Sequence, residues 1–259
     1  MIEILDASEV DRARATGALV GDILQALRTR AVPGTKLLDI DRWAQEMVLA
    51  AGAVSCYVDY EPSFGRGPFG HYICTSLNDA VLHGLPHDEV LAGGDLLSLD
   101  LAVSLDGVVA DSATSFLVGG SGSAEDEALI AATERALQAG IAAAGPGARL
   151  GDVSHAIGTV LGQAGYTVNT EFGGHGVGST MHQDPHVPNT GRPGRGYVLR
   201  PGLLLALEPW VMADTADLVT DPDGWTLRSA TGCRTAHSEH TVAITEDGVE
   251  VLTLPTARP

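Results

Sequence analysis

The spacing of apolar and polar residues along the chain predicts helices that alternate with buried strands. A first helix begins at Asp6 or Ser8, since either side chain can cap it, and runs to about Arg30. Three further helices follow from acidic starts and Pro-Gly or Gly stops, and they cover residues 39–51, 123–144 and 152–165. Residues 54–118 are predicted to be strands and loops, with the turn-rich segment 61–70 as an exposed loop.

Residues 96–116 are predicted to form a β-hairpin that carries two acids. Asp106-Gly107 supplies the turn, because Gly tolerates a positive φ and Asp can bond its own backbone. The turn brings Asp100 and Asp111 roughly opposite each other. Two carboxylates on buried strands repel each other and lose hydration, so a cation is expected between them. A solvated sheet face, or a hydroxyl that satisfies the acid, is the alternative.

The chain contains a repeat that predicts two αβ halves. The segment that starts at Ala31 resembles the segment that starts at Ala144, with Pro-Gly, Leu, Asp and Gly in the same register. A later match, shifted by 108 positions, places Asp100 on Glu208. We therefore expect one catalytic domain over 1–259, whose halves are related by a pseudo-twofold axis and span about 1–120 and 121–259. Chance similarity of Pro-Gly turns is the alternative.

Further candidate ligands lie in the second half. His175 stands in a Gly-rich segment, Glu208 ends an apolar run, and Glu239 heads a predicted strand, where an exposed edge position is the alternative. With Asp100 and Asp111, the acids carry four negative charges, which two divalent cations would balance. Carboxylates with one imidazole suit Mn, Fe, Co or Zn, and such a pair of ions is typical of hydrolases. Glu208 is the candidate general base.

Two other histidines have a functional and a structural interpretation. His83 and His182 lie in loops bounded by Gly and Pro, where functional groups concentrate, although a lone histidine is often a satisfied core residue.

Composition restricts the class of protein. The chain has 259 residues, 44% of them hydrophobic, and a formal net charge of −18. This acidity disfavours DNA or RNA as a partner. Three cysteines without a CxxC pair favour free thiols in a reducing cytoplasm. We find no signal peptide pattern and no apolar run of about 18 residues, so no membrane partner is expected.

The motifs resemble those of the type I methionine aminopeptidases in their minimal bacterial form, members of peptidase family M24. The resemblance covers nearly the whole chain, and its specific segments are CTSLNDAVLHGLP, LDLAVSLDGVVADSATSF, GGHGVGSTMHQDP, LEPW, DGWT and SEHTVAITEDG. It implies the α+β pita-bread fold, in which two αβ halves surround a curved antiparallel sheet. It also implies removal of the initiator methionine from nascent chains when the second residue is small.

The resemblance also implies roles for individual residues. Two divalent metal ions would be bound by Asp100, Asp111, His175, Glu208 and Glu239, with Asp111 and Glu239 bridging and Glu208 also acting as acid and base. His83 and His182 would contact the substrate, and Cys56, Cys74 and Trp225 would line the methionine pocket. The implied protein is a cytoplasmic monomer that meets the N-termini of nascent polypeptides, with transient ribosome association as a further partner.

The sequence departs from the family pattern in three places. Where the family usually has HEEP, this chain has His182-Gln183-Asp184-Pro185. The family often has an aromatic residue just before that histidine, and Met181 takes its place here. The loop 214–224 is acidic, whereas ribosome docking would favour a basic loop. Two alternatives on the same fold remain. One is an Xaa-Pro aminopeptidase or dipeptidase, whose chains usually carry an extra N-terminal domain and a further active-site histidine. The other is a binding protein without metals.

Overall fold

The structure is a computed structural model that describes residues 2–63 and 65–256. Within these ranges the helices are α1 (Ala7–Arg30), α2 (Leu37–Ala50), α3 (Ala124–Ala143) and α4 (Leu150–Gln163). The strands are β1 (Val54–Ser55), β2 (Cys74–Leu77), β3 (Ala80–Leu82), β4 (Leu96–Leu105), β5 (Val108–Leu117), β6 (Gly174–Val177), β7 (Gln183–Val187), β8 (Leu204–Leu207), β9 (Trp210–Met212), β10 (Leu218–Thr220), β11 (Leu227–Ser229), β12 (Thr235–His237), β13 (His240–Thr245) and β14 (Gly248–Val251).

The predicted helices are confirmed, with small shifts in their starts. Asp6 caps α1 and forms a capping box with Glu9, and the Ser123 side chain caps α3. Helix α4 begins two residues before the predicted start, because Asp152 accepts a hydrogen bond from the backbone of Arg149 one turn inside the helix. An acid that resembles a cap in the sequence therefore occupies the third helical position.

The hairpin of β4 and β5 is confirmed, and its register fixes the two acids. Asp106 and Gly107 have positive φ angles of 51° and 78°, as a two-residue type I′ turn requires. Asp100 pairs with Ala113, and Asp111 pairs with Ala102. The two acids are therefore diagonal neighbours on one face of the hairpin rather than directly opposite each other.

Two larger antiparallel sheets and two small ones make up the strand layer of the described residues. In the first larger sheet, β1 and β2 follow each other along one edge of β4, and β5 lies on the other edge. The second has the order β14-β13-β8-β6-β7. The small sheets are β10-β11-β3 and β12-β9. Each larger sheet packs helices of its own half against an apolar core, α1 and α2 in the first and α3 and α4 in the second.

Buried hydrogen bonds join the two larger sheets where β5 meets β13. The Glu239 N–H donates to the Ala113 carbonyl at 2.9 Å, and the Ser112 hydroxyl donates to the Glu239 carbonyl at 2.6 Å. The Thr241 hydroxyl accepts from the Asp111 N–H at 2.9 Å and donates to the Asp111 carbonyl at 2.7 Å. These hydrogen bonds therefore hold the acids of both halves on one continuous strand surface.

The repeat has structural counterparts in the two halves. Helices α2 and α4 each contain 14 residues, and isolated bridges before them pair Lys36 with Val90 and Arg149 with Val198. These correspondences support the proposed duplication. The boundary between halves near residue 120 stays a prediction.

The prediction of an exposed loop over 61–70 is wrong for Phe69. This side chain is buried and packs edge-on against Trp225, with ring centroids 5.2 Å apart. Gly65 lies under the same indole, where a Cβ would come within 2.7 Å of it. The loop therefore contributes an aromatic side chain to the interior. The sequence did not indicate this burial, because the partner of Phe69 is distant in sequence.

Candidate metal centre and active site

A cavity of about 550 Å³ opens over the junction of the two larger sheets. Acids and histidines line it together with aromatic and sulfur-containing side chains. The lining includes Tyr57, Tyr60, Phe69, Cys74, His83, Asp100, Asp111, Phe172, His175, Met181, His182, Glu208, Trp225 and Glu239. Its size suits a small ligand or the end of a peptide.

The sequence-predicted ligands converge in this cavity from both halves. Asp100 and Asp111 come from the β4–β5 hairpin, whereas Glu208 follows β8 and Glu239 precedes β13, which pairs with β8. Ligand atoms of Asp111, His175 and Glu239 lie within 4.8 Å of one another, and all three residues are buried. The hairpin and the two sheet ends thus bring together side chains that are up to 139 positions apart, from Asp100 to Glu239.

Hydrogen bonding turns the His175 ring toward the acids. Its Nδ1 lies 3.0 Å from the Gly176 carbonyl, which can only accept, so Nδ1 is assigned the proton. Nε2 then presents its lone pair 3.6 Å from Glu208 Oε1 and 3.9 Å from Asp111 Oδ2. Burial lowers the pKa of His175 to about 3, which keeps the ring neutral as a metal ligand must be.

Burial also determines how the four acids titrate. It raises the pKa of Asp100 to about 6 and that of Glu208 to about 8. The pKa values of Asp111 and Glu239 lie well above their usual range, first because of burial and then because of the neighbouring carboxylates. A cation bound among these acids would therefore stabilise their ionised forms.

The donor set fits divalent metal ions. Glu239 Oε1 is buried and has no hydrogen-bond partner among the described residues, and such an orphaned carboxylate oxygen is costly without a ligand. Carboxylate oxygens with one neutral imidazole match the preferences of Mn, Fe, Co and Zn. Asp100, Asp111, His175, Glu208 and Glu239 are the residues that could hold such ions.

The two predicted substrate histidines face the same cavity. His83 has a positive φ of 56°, and its ring contacts Phe172 and Trp225 edge-on. The His182 ring lies 4.3 Å from the His175 ring, between centroids, and its Nδ1 is 3.0 Å from the Tyr60 hydroxyl. Burial lowers the pKa of both His83 and His182 to about 4, so both are neutral at pH 7.

The predicted pocket residues are close together but do not all reach the cavity. Cys74 and Trp225 line it, and Phe69 and Met181 add apolar surface. Cys56 packs against the same apolar cluster and is not among the lining side chains of the described residues. Burial raises the pKa of Cys56 to about 12 and that of Cys74 well above its usual range, so both thiols stay protonated and apolar.

The acidic loop 214–224 supports the pocket through hydrogen bonds. It contains β10, so it is partly regular structure rather than a free loop. Asp223 accepts from the backbone N–H groups of Trp225 and Thr226 at 2.7 and 2.9 Å. Asp221 pairs with Arg228. Several of these acids therefore stabilise the chain around Trp225.

Sequence reasoning missed two side chains at the centre. The Tyr57 hydroxyl lies 2.6 Å from Asp100 Oδ1. Buried His237 has its Nε2 within 3.9 Å of Glu208 Oε2 and 3.8 Å of Glu239 Oε2, with no hydrogen-bond partner among the described residues. The place of His237 two positions before Glu239, with strand alternation, was an available signal, whereas nothing near Tyr57 in sequence pointed to Asp100.

The buried acids, the ligand-ready imidazole and the apolar cavity together define the site of a metallopeptidase. The model of metallopeptidase family M24 matches residues 11–246, and the chain belongs to this family. The predicted pita-bread fold is confirmed, since methionine aminopeptidase and prolidase structures both superpose on the chain.

Named relatives share most of their length with this chain. Methionine aminopeptidase 1 of Mycobacterium tuberculosis is 44% identical over 255 residues, which cover 96% of this chain and 93% of the relative. Methionine aminopeptidase 1 of Bacillus subtilis is 38% identical, with 95% and 96% covered. The crystal structure of a methionine aminopeptidase from Thermotoga maritima has a TM-score of 0.93 and 36% identity, with 98% of this chain and all of that chain covered.

A prolidase from Pyrococcus furiosus is more distant. Its TM-score is 0.74 at 19% identity, and the match covers 98% of this chain and 66% of the prolidase. This likeness shows the shared fold alone. Among the described residues, no helix is both long and apolar enough to cross a membrane.

Proposed function

We propose that the chain is a methionine aminopeptidase, which hydrolyses the first peptide bond of nascent proteins and peptides when the second residue is small. The observation that carries this proposal is the direct contact between the buried acid cluster and an apolar, aromatic-lined cavity of about 550 Å³. Such a cavity holds one apolar side chain beside the hydrolytic centre. The full-length likeness to named methionine aminopeptidases supports the same activity.

We infer that two divalent ions, Co, Mn, Fe or Zn, bind to the five predicted ligands. Asp100, Asp111, His175, Glu208 and Glu239 would together hold them. Ions bound there supply Lewis acidity, which acidifies water and polarises a carbonyl group. The pair of ions also balances the charge of the four acids, which burial would otherwise keep partly protonated.

Glu208 is the proposed proton carrier. Its carboxylate takes a proton from the attacking water and returns it to the leaving nitrogen of the second residue, as general base and then general acid. Glu208 lines the cavity beside His175, so its carboxylate is within reach of a substrate bound there.

The neutral histidines and the apolar wall bind the substrate. His182 donates to the carbonyl of the scissile bond, and His83 contacts the bond and its amine. The methionine side chain packs against Trp225 and Cys74, with Cys56 behind them, because a thioether favours polarisable sulfur and aromatic surfaces. The narrow space next to this pocket admits only small second residues.

The proposed setting is the bacterial cytoplasm. Free cysteines and the proposed substrate, the N-termini of nascent chains, agree with that compartment. The protein acts there as a monomer, and transient association with the ribosome would bring it to its substrate. The acidic loop 214–224 is not the surface for such docking, since ribosomal RNA repels it.

Hydrolysis of two peptides by metal-stripped and refilled enzyme tests the proposal. One peptide begins Met-Ala and the other Ala-Pro, and Glu208→Gln is the matched control. We expect metal-dependent release of methionine from the first peptide alone, and at least about 100-fold less from the variant. Cleavage of the Ala-Pro peptide would transfer the chain to the Xaa-Pro branch. A protein that binds no metal and cleaves neither peptide would be a binding protein on this fold.

A further inference from the structure

Tyr57 stands between the aromatic wall and the acids of the first half. The preceding residues pair with β4 through β1 and a Cys56 N–H···Ala102 carbonyl bond of 3.1 Å. The Tyr57 N–H then donates to the Ser55 hydroxyl at 3.1 Å, which turns the chain. The Tyr57 ring packs edge-on against Phe69, with centroids 5.6 Å apart, and only 7% of the residue is exposed. Its orientation is therefore fixed by packing.

The phenol of Tyr57 touches two predicted metal ligands. Its oxygen lies 2.6 Å from Asp100 Oδ1 and 3.3 Å from Asp111 Oδ1. A carboxylate accepts hydrogen bonds, so the phenol donates its single proton along the shorter contact, whose length is typical of a charge-assisted bond. An apolar side chain would fill the same space equally well, so packing alone does not explain a phenol here.

We propose that Tyr57 is a positioning residue of the metal centre, which holds Asp100 in the rotation that leaves its second oxygen for a cation. This inference rests on the proposed function, since it requires that Asp100 binds metal. Asp100 and Glu208 are the two proposed ligands outside the compact group of Asp111, His175 and Glu239, and Asp100 is the one that the Tyr57 phenol contacts. A hydrogen bond that fixes Asp100 should therefore strengthen metal binding, since the hydrogen-bond partners of metal ligands commonly change metal affinity by about 10–100-fold.

Metal titration of the stripped protein by calorimetry tests the inference. Tyr57→Phe removes one oxygen, and Tyr166→Phe is the matched control, because Tyr166 packs against the core of the second half outside the cavity lining. We expect Tyr57→Phe to weaken Mn²⁺ binding at one site by about 10-fold or more while the metal-free protein stays folded, with Tyr166→Phe equal to the unmodified protein. Equal affinity in Tyr57→Phe and the unmodified protein would overturn the inference.

A double-mutant cycle separates action through Asp100 from a general packing effect. In an Asp100→Asn background, Tyr57→Phe should cause no further loss of Mn²⁺ affinity, whereas full additivity would show that Tyr57 does not act through Asp100. Failure of the proposed metal site is a distinct result, because the unmodified protein would then bind no Mn²⁺, whereas an Xaa-Pro activity would leave metal binding and this test intact.

A measurement on the unmodified protein covers the case in which Tyr57→Phe does not fold. With ring-¹³C-labelled tyrosine, the Tyr57 signal is assigned from its proximity to Phe69. We expect this signal to shift when Zn²⁺ is added, while that of Tyr166 stays in place. A metal-bound protein with an unmoved Tyr57 signal would contradict the inference.

Discussion

The hydroxyl of Tyr60 lies 3.0 Å from Nδ1 of His182, across 122 positions of sequence. The two rings are also in contact, with centroids 5.4 Å apart. A phenol is a stronger acid than a neutral imidazole N–H, so we assign the bridging proton to Tyr60. His182 then carries its own proton on Nε2, the form that can donate to a substrate carbonyl.

Tyr60→Phe is expected to lower turnover by about 10-fold without changing metal content, because His182 loses the partner that fixes its tautomer. Steady-state kinetics on a Met-Ala peptide and metal analysis provide the two measurements. His182→Ala should lower turnover further and also retain metal. If Tyr60→Phe removes metal, the tyrosine supports the centre rather than the histidine.

The stability of the metal-free protein should fall as the pH rises from 6.5 to about 8. The folded-state pKa of Glu208, about 8, exceeds its ordinary value of 4.5, so its contribution to stability is full below pH 4.5 and is lost as the pH approaches 8. Burial lowers the pKa of the buried histidines, so they are neutral in both the folded and the unfolded protein above pH 6.5 and do not change the stability in this pH range. These histidines are His83, His175, His182, His237 and His240.

Thermal melting with and without Mn²⁺ measures this effect. Metal binds the ionised acids, so the increase in melting temperature on adding Mn²⁺ should grow over the same pH range. Glu208→Gln should flatten the metal-free profile. A metal-free melting temperature that rises from pH 6.5 to 8 would refute the assignment of Glu208 as a buried acid with a raised pKa.

Thr241→Val should destabilise the protein by about 1–3 kcal/mol, because the buried hydroxyl satisfies both backbone groups of Asp111. Valine fills nearly the same volume but leaves these groups unpaired. Urea unfolding provides the measurement. Thr245→Val is the control at the partly exposed end of the same strand, where the hydroxyl donates one 3.2 Å hydrogen bond to the Gly248 carbonyl. We expect this control to change the free energy of unfolding by no more than about 0.5 kcal/mol. Equal losses in both variants would exclude a special role for Thr241.

Gln183→Glu should loosen the N-terminal segment. The Gln183 amide donates to Glu3 at 2.8 Å, and the Ser179 N–H donates to the same oxygen at 2.8 Å. A second carboxylate would repel Glu3, so we expect the melting temperature at pH 7 to fall by about 2–4 °C.

A second substitution tests this pairing. Adding Glu3→Gln should restore the melting temperature, whereas Gln138→Glu, on the exposed face of α3, should leave it unchanged. The hydrogen bonds from Ser179 lower the pKa of Glu3, so its contribution in the unmodified protein is present above pH 4.5 and is lost in acid. No change in Gln183→Glu would show that the N-terminal segment is held by other contacts.

Local sequence was sufficient for the four helices and for the acids of the hairpin. The Asp106-Gly107 turn sets the β4–β5 register, and that register alone places Asp100 and Asp111 on one face. The repeat also placed Glu208 by analogy with Asp100, and the structure brings the two together in one cavity. These features were predictable because they depend on neighbours in sequence or on symmetry.

The surroundings of the acids were decided only by tertiary structure. The Tyr57 hydroxyl donates to Asp100, 43 positions away, and the Phe69 side chain points inward from its loop and packs on Trp225. His237 approaches Glu208 only because β12 leads into the junction of the two larger sheets. Sequence by itself determined which chemical groups are present and the local geometry that carries them. Their hydrogen-bond partners, protonation and burial depend on long-range packing, which no local pattern of residues specifies.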